Sequence, residues 1–182
     1  MKITETPIPG VLILEPEPVF DGRGFFARTW DRADLEARAL TADLSQISVA
    51  FNTVAGTLRG LHVQAAPHAE AKTIRCTAGA IFDVAVDLRT GSRARYTWFG
   101  MELTAANRRA LYIPEGCAHG YLTLTDNAEV RYEISVPHRP QSARGYRWND
   151  PMFAIAWPAA VIRISARDAN LPIVSKDEPT SR

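Results

Sequence analysis

Short apolar runs broken by glycine and proline recur along the whole chain, the texture of many short strands. Residues 11–14, Val-Leu-Ile-Leu, form a first run between Pro9-Gly10 and Pro16. The segment 20–30 holds Asp21-Gly22-Arg23-Gly24, read as a turn followed by a short strand. From Leu44 onward the period is two. In the run 81–88, Phe82, Val84, Val86 and Leu88 share one face, and Asp83 and Asp87 lie on the other. Arg89-Thr90-Gly91-Ser92 closes this run as a turn. Further strands are expected at 96–103, 110–113, 121–124 and 129–134. One helix is signalled at 31–40, with Asp31 as its cap, Asp34 in its first turn and Trp30 stapling onto Leu35. The pattern predicts an all-β chain, an antiparallel sandwich or barrel with one short peripheral helix. The region after Trp157-Pro158 is mixed, and 177–182 is expected to fray.

Composition narrows the picture. The chain has 182 residues, which at ~150 residues per domain predicts one domain over 1–182. Apolar residues make up 46% and charged residues 23%, so a disordered or fibrous chain is excluded. Lys+Arg number 21 and Asp+Glu 20, a net charge of +1, which gives no electrostatic case for nucleic acid or an anionic membrane. No apolar run approaches the ~18 residues of a membrane span. The first ten residues include Glu5, Pro7 and Pro9 and lack the apolar core of a secretory signal. Cys76 and Cys117 lie far apart and form no metal-type pair, so both are read as reduced thiols of a cytoplasmic protein.

Two polar residues sit on apolar faces. Lys72 alternates with Ile74 and Cys76, and Tyr132 lies between Val130 and Ile134. If those faces line the interior, both side chains point inward. An inward lysine needs a charged or enolate-like partner, unless it lies near a strand end and snorkels to water. An inward tyrosine can serve packing alone. The four histidines are His62, His68, His119 and His138. Pro114-Glu115-Gly116-Cys117-Ala118-His119-Gly120 resembles the second motif of the cupin β-barrels. Metal-binding cupins carry H-x-H and a following Glu in their first motif, whereas this chain has His62-Val63-Gln64. A metal site would need His68 or Glu70 as a third ligand beside His62 and His119. The expectation is no metal and no other cofactor.

A set of motifs in fixed order then becomes recognisable. They are Asp21-Gly22-Arg23-Gly24-Phe25-Phe26, Gly56-Thr57-Leu58-Arg59-Gly60-Leu61-His62, Pro67-His68-Ala69-Glu70-Ala71-Lys72 and Phe82-Asp83-Val84-Ala85-Val86-Asp87-Leu88-Arg89. Ile113-Pro114-Glu115-Gly116-Cys117-Ala118-His119-Gly120, Trp148-Asn149-Asp150-Pro151, Ile155-Ala156-Trp157-Pro158 and Ile164-Ser165-Ala166-Arg167-Asp168 complete the set. Together they resemble the dTDP-4-dehydrorhamnose 3,5-epimerase family, metal-free cupins acting on nucleotide-diphospho-4-keto-6-deoxy sugars. The resemblance implies a cupin-type antiparallel barrel or jelly roll with an irregular C-terminal region. It implies His62 as base, Asp168 as the carboxylate that orients it, Lys72 at the carbon-4 oxygen and Tyr132 as acid on the opposite face. His119 is then a pocket-shaping residue, and Arg59 and Arg23 are diphosphate contacts. It also implies a homodimer in which the N-terminal segment, about 1–30, reaches the partner. Within it, the region from Phe20 through Phe26 to Arg28 would complete the partner's pocket.

Three places depart from the rhamnose-pathway members of that family. Arg28 stands where they often carry glutamate, and Gln46-Ile47-Ser48 replaces Gln-x-Asn, both at the nucleotide end of the pocket. His138 stands close to the sugar, where many relatives have tyrosine. These changes leave open the nucleobase (GDP- or CDP-linked sugars being the alternatives) and whether one or both of carbons 3 and 5 invert. A metal-dependent cupin enzyme and a non-catalytic sugar-nucleotide module are the other readings. The second is disfavoured because binding alone does not need His62, Lys72, Tyr132 and Asp168 together.

Overall fold

A computed structural model describes residues 1–174 of the chain. The strands, in order, are Lys2–Glu5 (β1), Leu12–Glu15 (β2), Val19–Asp21 (β3) and Gly24–Phe26 (β4), followed by helix Arg32–Glu36 (α1). Next come Gln46–Asn52 (β5), Thr57–Gln64 (β6), Lys72–Ala78 (β7), Ala80–Asp87 (β8) and Trp98–Thr104 (β9). Ala110–Ile113 (β10), Cys117–Thr123 (β11), Ala128–Ile134 (β12), Ala143–Gly145 (β13), Arg163–Ile164 (β14) and helix Ala166–Ala169 (α2) follow among the described residues.

Two sheets face one another. The first runs β1-β2-β10-β7-β12-β5, and the second runs β13-β6-β11-β8-β9. All neighbours along these paths are antiparallel, while β14 joins β6 in parallel. The fold is the all-β antiparallel architecture expected from the alternation, in the cupin-like form that the family resemblance implied. The interior between the sheets is closed by Ile74, Cys76, Ile81, Leu103, Leu111, Ile113, Tyr121 and Val130, all buried. Fully burying one such aliphatic side chain is worth about 1.5–3 kcal/mol. Cys76 and Cys117 are both free and buried, and burial pushes their thiols up to about 11 and about 12. They are packing residues.

The alternation of β8 is as predicted, and the structure adds which layer each face meets. Phe82, Val84 and Val86 pack outward, under a C-terminal layer that includes Phe153, Ile155 and Trp157. The opposite face, with Asp83 and Asp87, points into the barrel, and both carboxylates are wholly buried. Two apolar layers compete for this strand, and the outer one takes the bulkier side chains. Asp87 is compensated by Arg89, whose Nε and Nη2 donate to its two oxygens at 2.9 and 2.8 Å, and by Ser92 Oγ at 2.5 Å.

The helix at 31–40 is shorter than expected. Asp31 Oδ1 accepts from the N–H groups of Ala33 and Asp34, as a cap should, and Leu35 is its one buried residue. Trp30 packs in the same cluster as Leu35. The chain leaves the helix because Ala39 takes a left-handed φ of 54°. A second helix, α2, lies in the region read as irregular. Ser165 Oγ caps it by accepting from Asp168 N at 3.0 Å. The expected fraying of 177–182 lies outside the described residues. β1 and β2 belong to the chain's own first sheet, so within the first thirty residues only the β3–β4 hairpin stands off it.

Backbones come unusually close where β6 meets β11. Gly60 has φ +122°, and a Cβ there would lie 2.6 Å from Gly120 Cα and 2.8 Å from His119 O. The register shifts at this point, between His119 and Tyr121. Gly60→Ala is expected to cost at least ~2 kcal/mol through overpacking and backbone strain. Thermal unfolding followed by circular dichroism should show a midpoint about 5 °C or more below wild type.

Candidate active site

His62 and His119 are register partners on adjacent strands, β6 and β11. Each is held by a carboxylate from elsewhere. His62 Nε2 lies 2.8 Å from Asp168 Oδ1, and His119 Nε2 lies 2.7 Å from Asp83 Oδ1. An ionised carboxylate only accepts, so the Nε2 of each ring carries the hydrogen and Nδ1 of the neutral ring is left as acceptor.

Asp168 reaches His62 because β14 pairs with the start of β6, Arg163 opposite Thr57 and Ile164 opposite Leu58. The capped turn of α2 follows at once. Asp168 Oδ2 also accepts from Gly60 N at 3.2 Å. Burial raises the Asp168 carboxyl, but the hydrogen bond and charge of His62, with the Gly60 N–H, outweigh it and hold Asp168 below the usual carboxylate range.

The first sheet supplies the facing groups. Tyr132 on β12 packs its ring edge-on to His119, with centroids 5.8 Å apart. Burial, with the neighbouring Tyr121 hydroxyl, pushes the Tyr132 phenol well above its ordinary value, so it stays protonated. Lys72 opens β7 and is buried, its Nζ 2.5 Å from Glu70 Oε1. Arg59 Nε donates to Asn52 Oδ1 at 2.8 Å, and Asn52 Nδ2 donates to Tyr121 Oη at 3.1 Å.

These side chains line one cavity of about 340 Å³. It brings together His62, Lys72, His119, Tyr132, Arg59, Gln46, Ser48 and His138, with Asp168 behind His62. Ser48 lies beside Tyr132 in register, and Gln46 Oε1 accepts from the His138 N–H at 2.8 Å. Arg23, Phe26 and Arg28 do not line it. Arg23 is exposed and paired with Asp21 at 2.6 Å, Phe26 is exposed, and Arg28 pairs with Asp31 at 2.8 Å.

Asp83, the ion partner Glu70 and the rim residues Arg144 and Arg167 are additions the sequence reading did not make. Asp83 carried a visible signal, an acid on a regular strand whose two neighbours are apolar. Among the described residues, no group of three His, Cys, Asp or Glu is placed to hold a metal ion.

A family model described as dTDP-4-dehydrorhamnose 3,5-epimerase matches residues 5–176. The chain belongs to that family. The epimerase of Salmonella typhimurium strain LT2 is 39% identical over 180 residues, covering 97% of each chain. The crystal structure of the Elizabethkingia anophelis NUHP1 epimerase matches with a TM-score of 0.92 at 34% identity, over 95% of this chain and 96% of that one. The Bacillus anthracis strain Ames epimerase, solved with TDP and PPi bound, matches with a TM-score of 0.90 at 38% identity, over 95% and 99%. The matched span of this epimerase-family chain takes in every side chain of the cavity.

The Asp168 carboxyl is depressed on folding, so the stability it contributes is complete above its unfolded value, ~3.9, and is lost as pH falls through the lower folded value. In urea titrations, the stability advantage of wild type over Asp168→Asn should hold near neutral pH and shrink progressively below about pH 4.

Proposed function

We propose that this family member is a sugar-nucleotide isomerase of the dTDP-4-dehydrorhamnose 3,5-epimerase type, acting without a cofactor on dTDP-4-keto-6-deoxyglucose. The observation that carries the reading is the opposition of two groups across one cavity. A carboxylate-backed histidine stands on the second sheet and a half-buried, protonated phenol on the first.

The hydrogens on carbons 3 and 5 of a 4-keto sugar are acidic because the electron pair left behind delocalises onto the carbon-4 oxygen. His62 Nδ1 takes the proton, and the imidazolium formed is stabilised by Asp168. A positioned base of this kind contributes about 10²–10⁴ in rate. The pair moves onto oxygen 4, where the Lys72 ammonium donates a hydrogen bond. Such a preorganised donor is worth about 3–4 kcal/mol by analogy with oxyanion holes. Tyr132 Oη then delivers its proton to the same carbon from the opposite face, the pair returns, and the centre is inverted. His119, fixed by Asp83 and packed on the Tyr132 ring, holds that phenol in place. Gln46, Ser48 and Arg59 serve the nucleotide diphosphate, and His138 stands over the sugar.

The same reading includes a homodimer. β5 is an edge strand that exposes Ile47, Val49 and Phe51 in alternation, each more than half accessible. Such an edge invites pairing. The β3–β4 hairpin exposes Val19, Phe20 and Phe26 at 70%, 73% and 73%. Two apolar surfaces of this size support a second copy covering them, with Arg23, Phe26 and Arg28 reaching the partner's cavity.

Proton NMR in D₂O with dTDP-4-keto-6-deoxyglucose tests the chemistry. Wild type should wash deuterium into both carbons 3 and 5. His62→Ala should lose at least ~10²-fold in exchange and turnover while still binding dTDP. Absence of exchange at either carbon in wild type would overturn the assignment. Sedimentation velocity tests the assembly. Wild type should sediment as a dimer, and Val49→Glu combined with Phe51→Glu should give monomers with weakened dTDP binding.

A further inference from the structure

Charge is unevenly arranged around the cavity. Four basic side chains line it: Lys72, Arg59, Arg144 and Arg167. Of these, the three arginines are exposed at its rim, while Lys72 lies at the floor with 6% of its side chain accessible. A single acid lines the cavity directly, Glu70. It is not spread among the rim arginines. It sits against the one buried cation, Oε1 to Nζ 2.5 Å, with 11% of its own side chain accessible. The proposed chemistry uses Lys72 and leaves Glu70 without a task.

A buried ammonium without a partner is costly, and it would make the floor of the cavity an anion site. The proposed substrate has both kinds of group, a diphosphate and an uncharged sugar. A pocket with a positive floor would draw the phosphates, or free phosphate from solution, into the place where the sugar must sit. Glu70 removes that attraction while leaving Lys72 with donors to spare. An ammonium has three, and one is taken by the carboxylate.

We propose that Glu70 sets the polarity of the cavity. It cancels Lys72 at the floor so that the floor takes an uncharged, carbonyl-bearing sugar, and it leaves the positive potential at the arginine rim for the diphosphate. Glu70 is thus a specificity-determining residue that acts through Lys72. The inference rests on the epimerase reading for the identity of the sugar. The anion binding it predicts can be measured without turnover, so the two can fail separately.

The experiment is calorimetric titration of the full-length protein with inorganic phosphate, for wild type, Glu70→Gln, Glu70→Asp and the double variant Glu70→Gln with Lys72→Met. Glu70→Gln keeps a hydrogen-bond acceptor and loses the charge. It should bind phosphate at least tenfold more tightly than wild type, and phosphate should become a competitive inhibitor of epimerisation. Glu70→Asp, which restores the charge, should return phosphate binding to near the wild-type level, and the double variant should lose the gain. A purely structural role for Glu70 would lower the melting temperature and leave phosphate affinity unchanged. The proposal is overturned if Glu70→Gln binds phosphate no more tightly than wild type, or if the gain persists without Lys72. Should Glu70→Gln not fold, Glu70→Ala must give the same gain.

Discussion

The hydrogen bond between His62 and Asp168 joins residues 106 positions apart, and much of the molecule is arranged to make it possible. β14 returns the C-terminal region to the start of β6, and α2 turns Asp168 toward the ring. Gly60 allows β6 and β11 to approach at the same level and gives its own N–H to the carboxylate. Barrel, bulge and final helix therefore share one constraint, which is to bring a late acid to an early histidine in a partly dry place.

The interior is managed by pairing. Asp83 is matched with His119, Asp87 with the half-buried Arg89 and Lys72 with Glu70, so each pair has at least one buried member. Breaking one partner of a buried pair is far more damaging than replacing both, because it strands a charge in a poor solvent. Asp83 still has one oxygen, Oδ2, without a protein partner. Between these pairs the interior is filled by an aliphatic cluster that includes Ile74, Ile81, Leu103 and Leu111.

Much of this was legible in the sequence. Period-two alternation located the strands, and the inward placement of Lys72 and Tyr132 followed from their neighbours Ile74, Cys76 and Val130. The roles assigned to His62 and Asp168 came from motif resemblance, since local pattern cannot see a contact across a hundred residues. The direction of β8 was not legible. Both its faces are buried, and alternation says which residues share a side without saying which layer each side meets. Helix α2 was missed because its four residues carry no periodicity. Glu70 was visible only as a possible metal ligand, although its place two residues before Lys72 is the spacing that sets two side chains on one side of an extended segment.

His62 and His119 face each other across a backbone ladder, so their separation is set by peptide geometry and hardly by side-chain packing. Lys72 and Tyr132 stand on neighbouring strands β7 and β12, offset in register, with Tyr132 opposite Ile74 and Lys72 opposite Ile134. The cavity thus has a stiff base and a pliable border, where His138, Arg144 and Arg167 sit on loops, a three-residue strand and a four-residue helix. Divergence within such a scaffold is cheap at the border and forbidden at the base. Exchanges at the border can reshape the opening of the cavity one residue at a time while the ladder that spaces His62 and His119 stays as it is.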